Sequence, residues 1–167
     1  MELWDAYDRD GKLAGIDLIR GEKIPDGLYH IVCEVIVRHI TGDFLLMQRD
    51  YKKPNFSGMF EATAGGSAIK GEDANECIKR ELFEETGIQG DNFKLIDTIV
   101  SDTNNCIYYE YYCETDCKKS SIRLQEGETI GYKWVNKKQL QNMFERREIV
   151  PVTKDRLQVY FNSELFR

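Results

Sequence analysis

Read for period, the chain is a succession of short strand-like runs punctuated by turn residues, with helical patterning in one central segment and again at the end. Glu2 to Arg9 and Lys12 to Leu18 flank the turn dipeptide Asp10-Gly11 and predict a hairpin over about residues 1–20. Tyr29 to Arg38 is rich in β-branched residues. With Thr41-Gly42-Asp43 and Phe44 to Gln48 it predicts a second strand, turn, strand unit in the central sheet. Asp50 to Gly58 is polar, contains Pro54 and reads as a loop. Met59 to Ala64 then predicts a short strand ending at Gly65-Gly66, where adjacent glycines signal a close backbone approach. Asp73 to Thr86 holds neither Gly nor Pro and stops at Gly87, which predicts a helix. Three more strands are expected at Phe93 to Ser101, Cys106 to Glu114 and Thr129 to Val135, and closing helices at Lys137 to Arg146 and Thr153 to Phe166. With no repeat and no linker, this order predicts one α+β domain over residues 1–167, a mixed sheet covered by helices.

Composition narrows the class. The 167 residues are 41% hydrophobic and 31% charged, which excludes a disordered tail or a disulfide miniprotein. Acidic side chains outnumber basic ones 29 to 23, so the mean field repels a phosphate backbone and general nucleic-acid binding is not expected. A small anionic substrate stays compatible, provided a cation inverts the field locally. The start of the chain lacks a basic region and an apolar run, and Glu34 breaks the longest apolar stretch, Ile31 to Val37, so neither a signal peptide nor a membrane span is expected. The five cysteines have no framework spacing and only His30 and His39 are available beside them. Reduced thiols in a cytoplasmic, soluble protein are the expectation, with no zinc site.

The predicted central helix is unusual. Residues on a helix are about 100° apart, so with Glu81 at zero, Ala74, Ile78 and Leu82 fall at roughly +20°, +60° and +100° and Cys77 near −40°. Glu85 lies near +40° and Glu84 near −60° on the same wheel, whereas Lys79 and Phe83 point away. Three carboxylates thus share the arc that the apolar residues bury. Like charges at this spacing repel and lose hydration, so something positive must compensate, and hard oxygen ligands suit Mg²⁺ or Mn²⁺.

Gly66, five residues, Glu72, seven residues and then Arg80-Glu81-Leu82-Phe83-Glu84-Glu85-Thr86-Gly87-Ile88 match G-x5-E-x7-R-E-U-x-E-E-x-G-U at every fixed position, U being a bulky aliphatic. This segment, residues 66–88, resembles the Nudix box, and the chain is similar to Nudix hydrolases. The resemblance implies the Nudix fold, a mixed β-sheet sandwiched between α-helices. It also implies hydrolysis of a nucleoside diphosphate linked to another moiety, X, by water attack at phosphorus, with Mg²⁺ on the box carboxylates or Mn²⁺ in its place. Glu81, Glu84 and Glu85 would then be metal ligands with the Gly66 carbonyl as a fourth, and Arg80 would orient them. Glu72 would be structural, and the general base would be Glu128, with Glu126 as second choice and Glu61 also facing the phosphates. Many members are dimers, so a homodimer is compatible with the resemblance.

Trp4-Asp5, Tyr7-Asp8, Gly15, Arg20-Gly21, Tyr29-His30, Gln48-Arg49 and Phe56 to Phe60 resemble the branch related to isopentenyl-diphosphate isomerase. In that branch a cysteine is expected about where Gly65 stands, and Ser67-Ala68 replace the accompanying His-Pro, so hydrolysis is favoured over isomerisation. Two alternatives stay open, an isomerase-like enzyme and a non-catalytic nucleotide-binding module. Arg20, Arg49, Lys52 and Lys53 are available for phosphate contact, and Tyr109 or Tyr111 for stacking on a base, while Trp4, Tyr7 and Phe60 read as core.

Overall fold

The computed structural model describes residues 1–162, except for the side chains of residues 153 and 154. Strands β1 (Leu3–Tyr7) and β2 (Leu13–Ile19) pair as a separate antiparallel hairpin. Its underside carries Trp4, Ala6 and Leu18, and Trp4 stacks on His30 with ring centroids 4.1 Å apart.

The main sheet is built on β3 (His30–His39), which pairs in parallel with β8 (Cys106–Thr115) along its whole length. β7 (Phe93–Ser101) extends that side antiparallel to β8. On the other side β3 meets β4 (Phe44–Arg49) through one register pair, Arg38 with Phe44, next to the connecting turn. It then pairs with β6 (Thr63–Ser67) from Val32 to Ile36. β4 departs with β5 (Phe60–Glu61) and β9 (Thr129–Val135) as its own partners. The sheet therefore parts between β4 and β6.

The expected strand from Met59 to Ala64 is corrected by this parting. Phe60 and Glu61 bond to β4, the chain changes partner at Ala62, and Thr63 onward bonds to β3, so Gly65 and Gly66 lie inside a strand and not at its end. The reason is steric. A Cβ on Gly65 would stand 2.0 Å from the Cys33 carbonyl oxygen, so the two backbones approach this closely because position 65 has no side chain.

Helix α1 (Ala74–Thr86) starts at Asp73, which accepts from Asn75 N–H and Glu76 N–H in a capping box, and ends at Gly87 with φ 74°. It packs Cys77, Ile78 and Leu82 against Cys33, Val35, Tyr111 and Cys113 on one face of the sheet. The opposite face buries Ile36, Phe44, Leu46, Phe60 and Tyr112 under α2 (Lys137–Glu145) and α3 (Pro151–Asn162). Alternate residues of β3 and β4 thus serve two cores, as a pleated strand requires. The last helix begins two residues before the expected Thr153, with Pro151 at its first position where the missing N–H costs nothing, and the expected residues 163–166 lie outside the described residues. Among the described residues no helix is long and apolar enough to cross a membrane. All five cysteines are free thiols.

Three charges are buried between α3 and the sheet. Arg156 ion-pairs with Glu34 of β3 and, at 3.1 Å, with Glu110 of β8. Two carboxylates share one guanidinium, and burial, with the adjacent Glu34 charge, pushes Glu110 up to about 8. A carboxyl group whose folded pKa is raised binds more protons folded than unfolded, so its contribution to stability falls as pH rises from the ordinary carboxylate range through 8. We therefore expect Glu110→Gln to match the parent protein near pH 4 and to exceed it in urea stability at pH 8; equal losses at both pH values would contradict this balance.

Candidate functional site

A cavity of about 420 Å³ occupies the gap where the sheet parts. β6 contributes its floor through Gly65, Gly66 and Ser67, α1 one wall through Arg80, Glu81, Glu84 and Glu85, and β4 and β5 the facing wall through Met47, Arg49 and Glu61. Glu128, in the loop before β9, and Thr129, the first residue of β9, close it.

The wheel derived for α1 holds in three dimensions for most positions: Cys77, Ile78 and Leu82 are buried, Phe83 is exposed, and Glu81 and Glu85 are half-buried. Glu84 departs from it, lying at the exposed edge of the arc with its side chain 45% exposed, yet it lines the cavity with the other two. Gly66 makes room for Glu81, because a Cβ there would lie 2.5 Å from its Oε1. The Gly66 carbonyl oxygen accepts from the Cys77 thiol at 3.6 Å.

Arg80 is the internal counter-ion of this wall. Its Nε and Nη2 donate to the two oxygens of Glu72 at 2.6 and 2.8 Å, a bidentate fork. Nη1 reaches Glu81 at 2.6 Å and Glu84 at 3.3 Å, and Nη2 also donates to the Ser67 carbonyl at 3.1 Å. The fork thus grips Glu72, while Glu81 receives a single bond. Glu72 in turn accepts from Ile69 N–H at 3.0 Å and pins the loop before α1, the structural role expected for it. The Arg80 bonds hold Glu72 below the usual carboxylate range.

Glu81, Glu85 and Glu61 are shifted the other way. Burial raises each of them, with Arg80 opposing the shift at Glu81 and Arg49 at Glu61. Glu85 stands well above its ordinary value, through burial first and then the Glu81 and Glu61 charges, against a single backbone bond from Gly65. The carboxylate crowd is thus only partly neutralised by protein cations. Its oxygen-only donor set, against a glycine backbone, suits a hard divalent ion. Among the described residues no three His, Cys, Asp or Glu groups are already drawn into a ready cage.

Other expected residues divide. Glu128 lines the cavity and ion-pairs with Lys53, and Glu61 lines it with Arg49 bonded at 2.7 Å. Glu126 and Lys52 are exposed and outside the lining. Tyr111 is buried in the α1 core and Tyr109 packs against it, so the stacking role considered for them is not available in this cavity: odd positions of β8 face α1, and the cavity opens beyond β6. Trp4, Tyr7 and Phe60 are packed in the cores, as read. Arg156, Glu34 and Glu2 line the cavity without having been singled out. For Glu34 the signal was present, a charge inside an otherwise apolar strand; for Arg156 and Glu2 there was none.

The NUDIX domain family matches residues 28–154. An uncharacterized Nudix hydrolase of Listeria monocytogenes, lmo0368, is 29% identical over 172 residues, covering 99% of this chain and 94% of that protein. The crystal structure of DR0079 from Deinococcus radiodurans superposes with a TM-score of 0.74 at 17% identity, over 95% of this chain and 99% of that one. A bifunctional NMN adenylyltransferase/ADP ribose pyrophosphatase from Francisella tularensis gives 0.63 at 18% identity, over 84% of this chain and 42% of its own.

Replacing Arg80 by Gln leaves Glu72 and Glu81, whose side chains are 15% and 14% exposed, without their counter-ion. The expected cost is about 1–3 kcal/mol of unfolding free energy at pH 7, measured by urea titration; no loss would show that the wall does not depend on the guanidinium.

Proposed function

The chain belongs to the Nudix family and is a pyrophosphohydrolase by that membership, and we propose that it cleaves the diphosphate link of a small molecule of the nucleoside diphosphate-X type with Mg²⁺, or Mn²⁺ in its place. One observation carries the reading: the three carboxylates of a complete box stand together on the wall of a cavity large enough for a substrate, beside a glycine floor.

Charge balance supports the need for a cation. Among the described residues the walls hold seven carboxylates, those of Glu2, 34, 61, 81, 84, 85 and 128, against five cations, Arg20, Arg49, Lys53, Arg80 and Arg156. Without added positive charge this lining repels a diphosphate. Glu81, Glu84, Glu85 and the Gly66 carbonyl are the donors that would hold the ion. Bound there, Mg²⁺ would neutralise charge growing on phosphoryl oxygens and acidify a water molecule.

The chain's own residues do the rest. Arg80 donates to one oxygen each of Glu81 and Glu84 and so fixes both carboxylates on the wall. Arg49 and Lys53 on the facing wall orient the phosphates. Glu128 takes the proton of the attacking water, with Glu61 next to it in order of preference. The isomerase alternative is disfavoured because position 65, where its cysteine would stand, has no room for a side chain. Five free thiols accord with a reducing, cytoplasmic compartment.

The test is hydrolysis of a panel of diphosphate compounds at alkaline pH, including ADP-ribose, sugar nucleotides, dinucleoside polyphosphates, oxidised nucleotides and prenyl diphosphates. Turnover should require Mg²⁺ and vanish with a chelator. Glu85→Gln should lower kcat by at least about 10²-fold with the fold retained. Tight binding of a panel compound without turnover would establish the non-catalytic module instead.

A further inference from the structure

Arg20 is a cation that the matched family segment does not supply. It precedes residues 28–154, yet it lines the same cavity as Glu81, Glu84 and Glu85. The hairpin that carries it is fixed to the loop leading into α1. Lys70 N–H donates to the Leu3 carbonyl at 2.8 Å, Gly71 N–H to Asp5 at 2.7 Å, and Lys70 Nζ pairs with Asp17 at 2.5 Å. Arg20 is therefore placed by the same loop that positions the box helix.

Its state differs from that of the other cations in the walls. The side chains of Arg49, Lys53, Arg80 and Arg156 are between 14% and 25% exposed, each against carboxylates of the cavity or the core. Arg20 is 65% exposed and pairs with Glu2 at 3.0 Å. The other oxygen of Glu2 accepts from Trp4 Nε1 at 2.8 Å, so Glu2 stays in place when the guanidinium turns away. An exposed ion pair of this kind is weak and exchanges readily for a better anion, and phosphate offers a guanidinium two parallel bonds.

We propose that Arg20 is a specificity residue that reads a further phosphate of the substrate, beyond the scissile diphosphate, by exchanging Glu2 for that phosphate. The assignment rests on the pyrophosphohydrolase reading above. It selects, within diphosphate compounds, those extended by a third phosphate over those that end in a neutral group. Arg49 and Lys53 reach the cavity from β4 and the loop after it, while Arg20 reaches it from the residue after β2, in the hairpin docked on the loop before α1, so the two sets of cations can engage different phosphates.

Calorimetric titration with inorganic pyrophosphate and inorganic triphosphate, with Ca²⁺ as the divalent ion to keep turnover slow, tests this. The parent protein should bind triphosphate about 10-fold more tightly, and Arg20→Met should bring triphosphate to the pyrophosphate value while leaving pyrophosphate unchanged. Glu2→Gln should strengthen triphosphate binding, because the internal competitor is gone, and Arg20→Lys should restore part of the preference. Equal losses for both ligands in Arg20→Met, as a merely structural role would give, or no preference in the parent protein, overturns the proposal. The hydrolysis panel judges the underlying reaction separately: a protein that prefers triphosphate through Arg20 but hydrolyses nothing keeps the anion site and loses the reaction, whereas turnover with no Arg20 dependence does the reverse.

Discussion

Two successive positions without side chains, Gly65 and Gly66, set how closely β6 can lie against its neighbours, β3 at the first and α1 at the second. At Gly65 the constraint comes from the neighbouring strand, whose Cys33 carbonyl occupies the space a Cβ would need. At Gly66 it comes from the helix, whose Glu81 carboxylate fills the equivalent space. A strand bare on both sides therefore serves as the floor of the cavity, and the acidic wall stands against polar backbone. A larger residue at position 65 would push β6 off β3, and one at position 66 would displace the Glu81 carboxylate from the floor.

Bringing those carboxylates together is unfavourable in itself, since burial and mutual repulsion both oppose their ionisation. Arg80 offsets part of the cost. Its bidentate bond goes to Glu72 in the loop, and single bonds go to Glu81 and Glu84 on the helix, so one guanidinium ties the loop, the helix and the strand carbonyl of Ser67 into a unit. Glu85 lies beyond its reach and has the most strongly raised carboxyl of the wall. Local instability of this kind is typical of sites organised around a charge the chain does not itself carry.

The segments that flank the matched domain extend this arrangement. The N-terminal hairpin docks on the box loop and brings Arg20 and Glu2 to the cavity, and α3 crosses the far face of the sheet and brings Arg156 to Glu34. The carboxylate wall belongs to the common domain, and two of the five cations facing it come from outside that domain.

What the sequence determined by itself is what covalent spacing and local hydrogen bonding control. The limits of α1 follow from the Asp73 cap and the Gly87 stop, and the helical wheel alone placed Glu81, Glu84 and Glu85 beside the buried stripe of Cys77, Ile78 and Leu82. The hairpin and most strands were equally legible, because period-two runs bounded by turn residues are local signals. Tertiary structure decided the rest. The change of pairing partner at Ala62 opened the cavity, strand register turned Tyr109 and Tyr111 into the core, and docking of distant segments brought Arg20 and Arg156 to the site. None of these is encoded in spacing along the chain, since each depends on which backbone edge or sheet face a remote segment finds free.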